Sequence, residues 1–117
     1  MSEPPDDEVG DGRASPRRRV LFSGKLVYGP TDMTLDCAIS DLSKTGARVR
    51  LSGPEPLVEP IYLVDLRNGL AYRARQAWRR AALVGLEFSD YYDLRNAPPD
   101  IPKLVRRLWV EHTRYGV

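Results

Sequence analysis

Two short segments of the chain carry side chains that could bind a phosphorylated nucleotide. The first is rich in arginine, because Arg13 and Arg17 form an Arg-x-x-x-Arg pair and Arg18 and Arg19 follow directly. A guanidinium does not lose its charge, and its rigid fork of donors pairs with a phosphate or with the O6 and N7 atoms of guanine. Taken alone, such a cluster is also typical of a solvated surface or of a general affinity for polyanions.

The second segment, residues 41–46, has the pattern Asp-x-Ser-x-x-Gly. Asp41 can accept hydrogen bonds from the N–H groups on the Watson–Crick edge of guanine, and Ser43 offers a hydroxyl to a phosphate or a base. Gly46 is expected to supply a backbone conformation that a β-carbon would obstruct, which would let the turn approach a ligand. The same residue types also form ordinary β-turns with side-chain-to-backbone hydrogen bonds.

The elements that must position these side chains are strands, since apolar residues alternate with polar ones through most of the chain. Six segments fit a strand: residues 20–28, 33–39, 47–51, 61–66, 71–78 and 84–88. The segment 61–66 is almost continuously apolar, which indicates a strand covered on both faces. Six short strands at close spacing predict an all-β fold, a small six-stranded antiparallel barrel.

The connections carry their own signals. Asn68 and Gly69 predict a two-residue type I′ hairpin turn, which needs positive φ at both positions. Residues 91–102 contain three prolines and are expected to form a loop. Asp100 is expected to cap a C-terminal helix whose apolar stripe, including Leu104 and Leu108, packs on the barrel. A helix that binds a partner protein is the alternative.

Composition limits the possible functions. A length of 117 residues fits one domain with a single modest core. No apolar run approaches the roughly 20 residues that span a bilayer, and the acidic start of the chain does not resemble an export signal. Cys37 and His112 are the only cysteine and histidine, which argues against a disulfide and against a zinc site made by this chain. We therefore expect a cytoplasmic protein with no membrane insertion and no metal cofactor.

Charge is unevenly distributed, although the formal net charge is only +2. Residues 1–12 contain five acidic residues and no basic one, whereas residues 13–30 contain five basic residues and no acidic one. The acidic leader has few apolar groups that could offset the entropy of ordering, so we expect a disordered tail. It could screen the neighbouring arginines in the absence of ligand, and a solvated tail without a role is the simpler interpretation.

The order and spacing of these features resemble the PilZ family of cyclic di-GMP receptors. Arg17 precedes Asp41 by 24 residues, enough for a strand, a turn and a return strand that bring the arginine arm over the second motif. The chain is also similar to the family in Arg18-Arg19-Val20-Leu21, in Ala47-Arg48, and in Trp78-Arg79 followed by Val84-Gly85-Leu86-Glu87-Phe88. The resemblance covers residues 13 to 88.

The resemblance implies a PilZ-type barrel over residues 13–90, after the tail of residues 1–12 and before a loop and a helix at residues 91–117. It also implies that cyclic di-GMP binds on the outer surface of the barrel and that the receptor relays the signal to an effector protein when the arm becomes ordered. The matching residues are Arg13, Arg17, Asp41, Ser43 and Gly46, with Arg18 as an auxiliary contact. Family members bind one dinucleotide or a stacked pair, and both remain open here.

Catalysis is not expected. Acid–base chemistry needs a histidine or a pair of carboxylates that converge in a pocket, and Asp41 and Ser43 have no evident third partner. Two alternatives to the receptor remain: a small-barrel nucleic-acid-binding protein, favoured by exposed aromatics such as Tyr72 or Trp78, and a PilZ-like interaction module that binds no nucleotide. The nearly neutral net charge argues against nucleic acid, and the intact motifs argue against the interaction module.

Overall fold

The computed structural model describes residues 18–96 and 100–115, with the backbone alone for residues 18–21. In this part of the chain the strands are β1 (Arg18–Tyr28), β2 (Met33–Leu42), β3 (Gly46–Leu51), β4 (Ile61–Asp65), β5 (Leu70–Arg80) and β6 (Leu83–Asp93). A 3₁₀ helix at Leu94–Asn96 and the helix α1 (Lys103–Tyr115) follow. Neighbouring strands are antiparallel and close into a barrel in the order β1-β2-β3-β6-β5-β4. The predicted six-stranded antiparallel barrel with a C-terminal helix is confirmed.

The barrel interior is filled by the alternate apolar residues that the sequence pattern predicts. Leu26, Ile39, Val49, Leu63 and Val84 are completely buried there. Because successive strand residues point to opposite faces, the side chains between them reach the outer surface. Every residue of β4 is buried, as predicted for this strand, because its outward side chains lie under α1.

The helix α1 covers one side of the barrel with its apolar stripe. Val105 is fully buried against a cluster on the outer faces of β1 and β4, and Leu104 and Leu108 pack at its edge. Arg106 Nε donates a hydrogen bond of 2.9 Å to the carbonyl of Leu94, which ties the first turns of α1 to the 3₁₀ helix. Within the described ranges, no helix has both the length and the apolar character needed to cross a membrane.

The start of α1 differs from the expectation. Asp100 is not the capping residue, because α1 begins at Lys103 and the residue that directly precedes it is Pro102. The carbonyl of Pro102 accepts the N–H of Val105 at 3.0 Å. A proline restricts the residue before it to extended conformations, so the helix cannot extend back to Asp100.

The turn between β4 and β5 also differs from the expectation. Gly69 has a φ of 70°, but Asn68 does not have positive φ, so the type I′ prediction was wrong. The turn spans residues 66–69, and Gly69 N–H donates to the carbonyl of Asp65 at 3.0 Å. The buried Asp65 carboxylate accepts the backbone N–H groups of Arg67 and Asn68 at 3.1 Å and the Asn68 side-chain amide at 2.8 Å. These bonds select the longer turn.

The strand β6 is longer than predicted, since it continues to Asp93 where a loop was expected from Tyr91 onward. Tyr91 pairs with Tyr72 and Tyr92 pairs with Ala71, so the β5–β6 ladder runs the full length of both strands. Tyr91 is nevertheless 69% exposed. Aromatic residues at the rim of the barrel obscure the alternation on which the sequence prediction depends.

Candidate functional site

Five residues on five neighbouring strands form a row across the barrel. Arg19 pairs with Asp41, and Asp41 pairs with Arg48. Arg48 pairs with Gly85, which pairs with Trp78. Directly opposed residues lie on the same face of a sheet, and the residues on either side of Arg48 are buried in the interior. We call these five positions the Asp41 row; the side chains described in it, those of Asp41, Arg48 and Trp78, therefore lie on the outer face.

Irregularities in the strand pairing lie beside this row. The register shifts between Arg19 and Phe22 on β1, between Ile39 and Asp41 on β2, and between Gln76 and Trp78 on β5. Each shift corresponds to one extra residue in the named strand, and such a β-bulge bends the strand and re-aims the side chains next to it. Bulges are common at barrel rims as well as beside active sites, and the β5–β6 pair has a further shift between Arg73 and Ala74, so what the bulges establish here is the direction of the neighbouring side chains.

The bulge in β2 decides where Asp41 points. Ile39 faces the interior, and strict alternation would direct Asp41 to the same side. The extra residue, Ser40, turns Asp41 outward opposite Arg48, while Ser40 itself donates a hydrogen bond of 3.2 Å to the Arg48 carbonyl. A carboxylate is thereby placed on the outer face without entering the core.

Asp41 and Arg48 form a loose ion pair. Asp41 Oδ2 lies 3.4 Å from Arg48 Nη2, longer than the roughly 2.7–2.9 Å of a strong charge-assisted hydrogen bond. The Asp41 side chain is only 11% exposed, whereas that of Arg48 is 42% exposed. Part of the Arg48 guanidinium therefore faces solvent although its Nε is buried, whereas the Asp41 carboxylate lies beneath the surface.

The turn that follows is closed by Ser43. Its N–H donates to the carbonyl of Gly46 at 2.9 Å, and its Oγ accepts the N–H of Thr45 at 3.2 Å. The hydroxyl also donates a hydrogen bond of 3.3 Å to the Gly46 carbonyl. In this state Ser43 shapes the turn by side-chain-to-backbone bonds, and a ligand would have to replace those bonds to use its hydroxyl.

Gly46 lies where a β-carbon would be obstructed, as expected, but the obstruction does not come from its φ. Its φ does not lie in the left-handed region, so the turn does not demand glycine for its backbone conformation. A β-carbon at Gly46 would instead collide with the carbonyl oxygen of Leu86 on β6. Glycine thus allows β3 and β6 to approach closely where the turn ends.

Trp78 ends the row with an exposed aromatic surface. Its indole lies over Gly85, where a β-carbon would collide with Nε1. The side chain remains 43% exposed, so part of the indole faces solvent next to Arg48. The sequence reasoning did not assign Arg48 or Trp78 to the site, because their proximity to Asp41 depends on the strand register.

The arginine arm is only partly described. Arg13 and Arg17 lie outside the described residues, as does the expected acidic tail of residues 1–12. Arg18 begins β1, and its backbone pairs with Leu42, the residue before Ser43. The structure therefore brings the start of β1 beside the second motif.

Cys37 lies near the site in sequence but takes no part in it. Burial, with a smaller contribution from the Asp36 carboxylate, raises the pKa of the Cys37 thiol to about 12. The thiol is therefore protonated at neutral pH and is a poor nucleophile. Among the described residues, no group of three or more His, Cys, Asp or Glu side chains could hold a metal ion.

Comparisons with known proteins do not assign the chain to a family. No family model matches it, and a search of curated proteins finds no relative with significant similarity. A functional proposal therefore depends on the residues of the site and on their geometry.

Proposed function

We propose that this chain binds cyclic di-GMP on the outer surface of its barrel, as receptors of the PilZ family do. The observation that carries the proposal is the backbone pairing of Arg19 with Asp41. Because of this register, the chain leaves the Arg13–Arg17 motif and enters the barrel directly beside the Asp41 carboxylate. Cationic and anionic groups at one place suit a ligand that carries both phosphates and N–H donors.

The Asp41 carboxylate would select guanine. The Watson–Crick edge of guanine presents N1–H and the exocyclic amino group, and a carboxylate can accept both. Adenine has no N1–H, so it offers a poorer match. Arg48 would move from Asp41 to a phosphate or to a guanine acceptor, and the guanine N–H groups would take its place at the buried carboxylate.

The remaining groups suit the other parts of the ligand. Arg13 and Arg17 would pair with phosphates and with guanine O6 and N7, and Arg18 would assist them. The exposed indole of Trp78 offers a face on which a base can stack. The Trp78 indole lies over Gly85. Two strand spacings, about 10 Å, separate the backbone of Gly85 from that of Asp41. This span suits a ligand with two bases.

The proposed activity is that of a receptor in the cytoplasm and not that of an enzyme. Ligand binding would order the arginine arm over the Asp41 row, and an effector protein would recognise the new surface. The site needs no cofactor for this role, since every proposed contact is a hydrogen bond, an ion pair or a stacking contact.

Nucleic-acid binding is the second candidate, because Trp78 lies on the same outer face as the exposed Arg50 and Arg80. Arginine beside an exposed aromatic also suits single-stranded nucleic acid, whose bases stack on aromatic side chains. Such binding would depend strongly on salt, because it is dominated by phosphate contacts.

Calorimetric titration tests the proposal. Cyclic di-GMP should bind saturably and in preference to cyclic di-AMP, GTP and GMP. Equal affinity for cyclic di-AMP would refute the role of Asp41 in reading guanine. No binding of any of these nucleotides, together with tight binding of single-stranded oligonucleotides, would favour the second candidate. No binding of either class would leave the PilZ-like interaction module.

A further inference from the structure

Arg50 and Arg80 form a second row on the outer face, next to the Asp41 row. Arg50 pairs with Leu83 on β6, and Leu83 pairs with Arg80 on β5. Arg50 is two residues beyond Arg48 on the same strand, so the two rows lie about 7 Å apart. Both arginines are exposed, and two strand spacings, about 10 Å, separate their backbones. We call Arg50, Leu83 and Arg80 the arginine row.

The charges of the arginine row are not compensated by any carboxylate in the described part of the chain. The neighbouring cations have carboxylate partners, since Arg48 faces Asp41 and Arg75 Nη2 lies 2.6 Å from Glu87. Arg50 and Arg80 form no ion pair with any residue whose side chain the structure describes. The face therefore offers two available guanidinium groups beside the exposed indole of Trp78, which is a surface suited to an extended acidic segment.

The chain carries such a segment in residues 1–12, which lie outside the described part. The acidic residues are Glu3, Asp6, Asp7, Glu8 and Asp11, and no basic residue occurs among them. Pro4 and Pro5 restrict their own backbone and favour an extended course. The charge of this segment is thus opposite to that of the arginine row.

The acidic segment is also long enough to reach the arginine row from the start of β1. Measured across β2, β3 and β6, Arg19 in β1 is four strand spacings from Trp78 in β5, which corresponds to about 19 Å. Asp11 precedes Arg19 by eight residues, and eight extended residues span up to about 27 Å. We propose that residues 1–12 dock as an acidic segment on the arginine row, beside Trp78.

This contact would be weak and sensitive to salt. Exposed ion pairs contribute little individually, and physiological salt screens charges beyond about 8 Å. A docked acidic segment lies next to the Asp41 row, so it would compete with the phosphates of cyclic di-GMP. The competition with cyclic di-GMP rests on the proposed function, whereas the docking of residues 1–12 on the arginine row does not.

The test uses the full chain with its five leader acids changed to amides, E3Q/D6N/D7N/E8Q/D11N. The readout is the indole N–H cross-peak of Trp78 in a ¹⁵N–¹H NMR spectrum, with Trp109 as an internal control. At low salt, the position of the Trp78 cross-peak should differ between the wild-type protein and the leader variant. The position of the Trp109 cross-peak should be the same in both. About 0.5 M salt should move the wild-type peak to the position of the variant. Identical Trp78 positions at low salt would overturn the proposal.

A matched pair of variants tests the location. R50Q/R80Q should abolish the effect of the leader substitutions on Trp78. R107Q/R114Q removes the same charge from exposed positions on α1 and should leave the effect unchanged. If the two pairs abolish the effect equally, the attraction is not specific to the arginine row and the proposal fails.

Titration with cyclic di-GMP separates docking from competition. Neutralising the leader should tighten dinucleotide binding by about three- to tenfold, as the loss of one or two competing ion pairs would. Because the indole readout needs no dinucleotide, it decides the docking even if the proposed function is wrong. Equal affinities, with a shifted indole, would exclude competition.

Discussion

The indole of Trp78 occupies the space that glycine leaves at position 85 on the neighbouring strand. This relationship holds an exposed aromatic side chain against the sheet. Trp78 lies two strands away from Arg48, the residue that pairs with Asp41. Without a side chain at Gly85, the indole can lie close to the backbone while Trp78 as a whole remains 43% exposed. The pair makes the role of Trp78 testable without changing Trp78 itself.

Gly85→Ala should displace the indole and weaken the binding of cyclic di-GMP. The new methyl group would occupy the place of Nε1, so the side chain must swing away. Base stacking on an aromatic side chain is worth about 1–3 kcal/mol, so affinity should fall by about five- to a hundredfold. Calorimetry gives the affinity, and tryptophan fluorescence reports the displacement.

The control for this experiment is Trp78→Ala. If Gly85→Ala acts through the indole, it should have no further effect on binding in the Trp78→Ala background. An additional loss of affinity in the double variant would mean that Gly85 affects the site by another route.

Arg17→Ala and Asp41→Ala should each weaken the binding of cyclic di-GMP, although they change the net charge in opposite directions. Each removes a hydrogen bond to a charged group, which costs about 1.5–3 kcal/mol, or roughly ten- to a hundredfold in affinity. A polyanion binder would behave differently, since loss of the Asp41 carboxylate would leave its affinity unchanged or increase it. The salt dependence of binding, measured in parallel, would be steep in that case.

The barrel was predictable from the sequence because it depends on alternation, and residues such as Leu26, Ile39 and Val49 alternate clearly. The Asp41 row was not predictable. Its members come together through strand register, which the extra residues near Ser40 and Trp78 shift. A bulge has no strong sequence signature, so Arg48 and Trp78 could not be placed beside Asp41 by counting residues.

The hairpin at Asn68 and Gly69 failed as a prediction for a related reason. The Asn-Gly signal is local, but the turn is selected by the Asp65 carboxylate, whose bonds to backbone N–H groups favour a longer loop. The role of Ser43 likewise depends on its surroundings. The motif left open whether its hydroxyl serves a ligand or the turn, and in this structure it serves the turn.

Asp65→Ala should destabilise the fold by about 3–4 kcal/mol. The carboxylate is fully buried and accepts three hydrogen bonds, and its loss would leave the N–H groups of Arg67 and Asn68 without these acceptors. Asp65→Asn keeps one acceptor oxygen and should cost less, about 1–2 kcal/mol. Urea denaturation of the three proteins measures the difference. Equal stability of both variants would show that the acceptors do not determine the turn.

Ala81→Gly should stabilise the protein by about 0.5–1 kcal/mol. Ala81 has a φ of 55° in the turn between β5 and β6, a conformation that costs a residue with a β-carbon about 1–2 kcal/mol. Part of this gain is lost because glycine makes the unfolded chain more flexible. Thermal unfolding provides the measurement. Ala82→Gly, at the neighbouring position without positive φ, should destabilise instead.

Residues 13–17 should gain protection from amide hydrogen exchange when cyclic di-GMP binds. These residues lie outside the described part of the chain, so the expectation comes from their composition and from the register of Arg18 with Leu42. Ordering five residues costs roughly 5–10 kcal/mol, and neighbouring arginines repel one another. Several charge-assisted bonds to the ligand, at about 1.5–3 kcal/mol each, can offset that cost, and Pro16 reduces it by restricting its own φ.

Exchange of residues 13–17 should therefore slow on ligand binding, while that of the buried strand β4 should not change. The Asp41→Ala variant provides the control. At a ligand concentration at which this variant binds little cyclic di-GMP, its amide exchange should match that of the free wild-type protein. If residues 13–17 are equally protected with and without bound ligand, the arm is preformed. In that case the signal to an effector would have to arise elsewhere on the barrel, and movement of Arg48 away from Asp41 is the next change to examine.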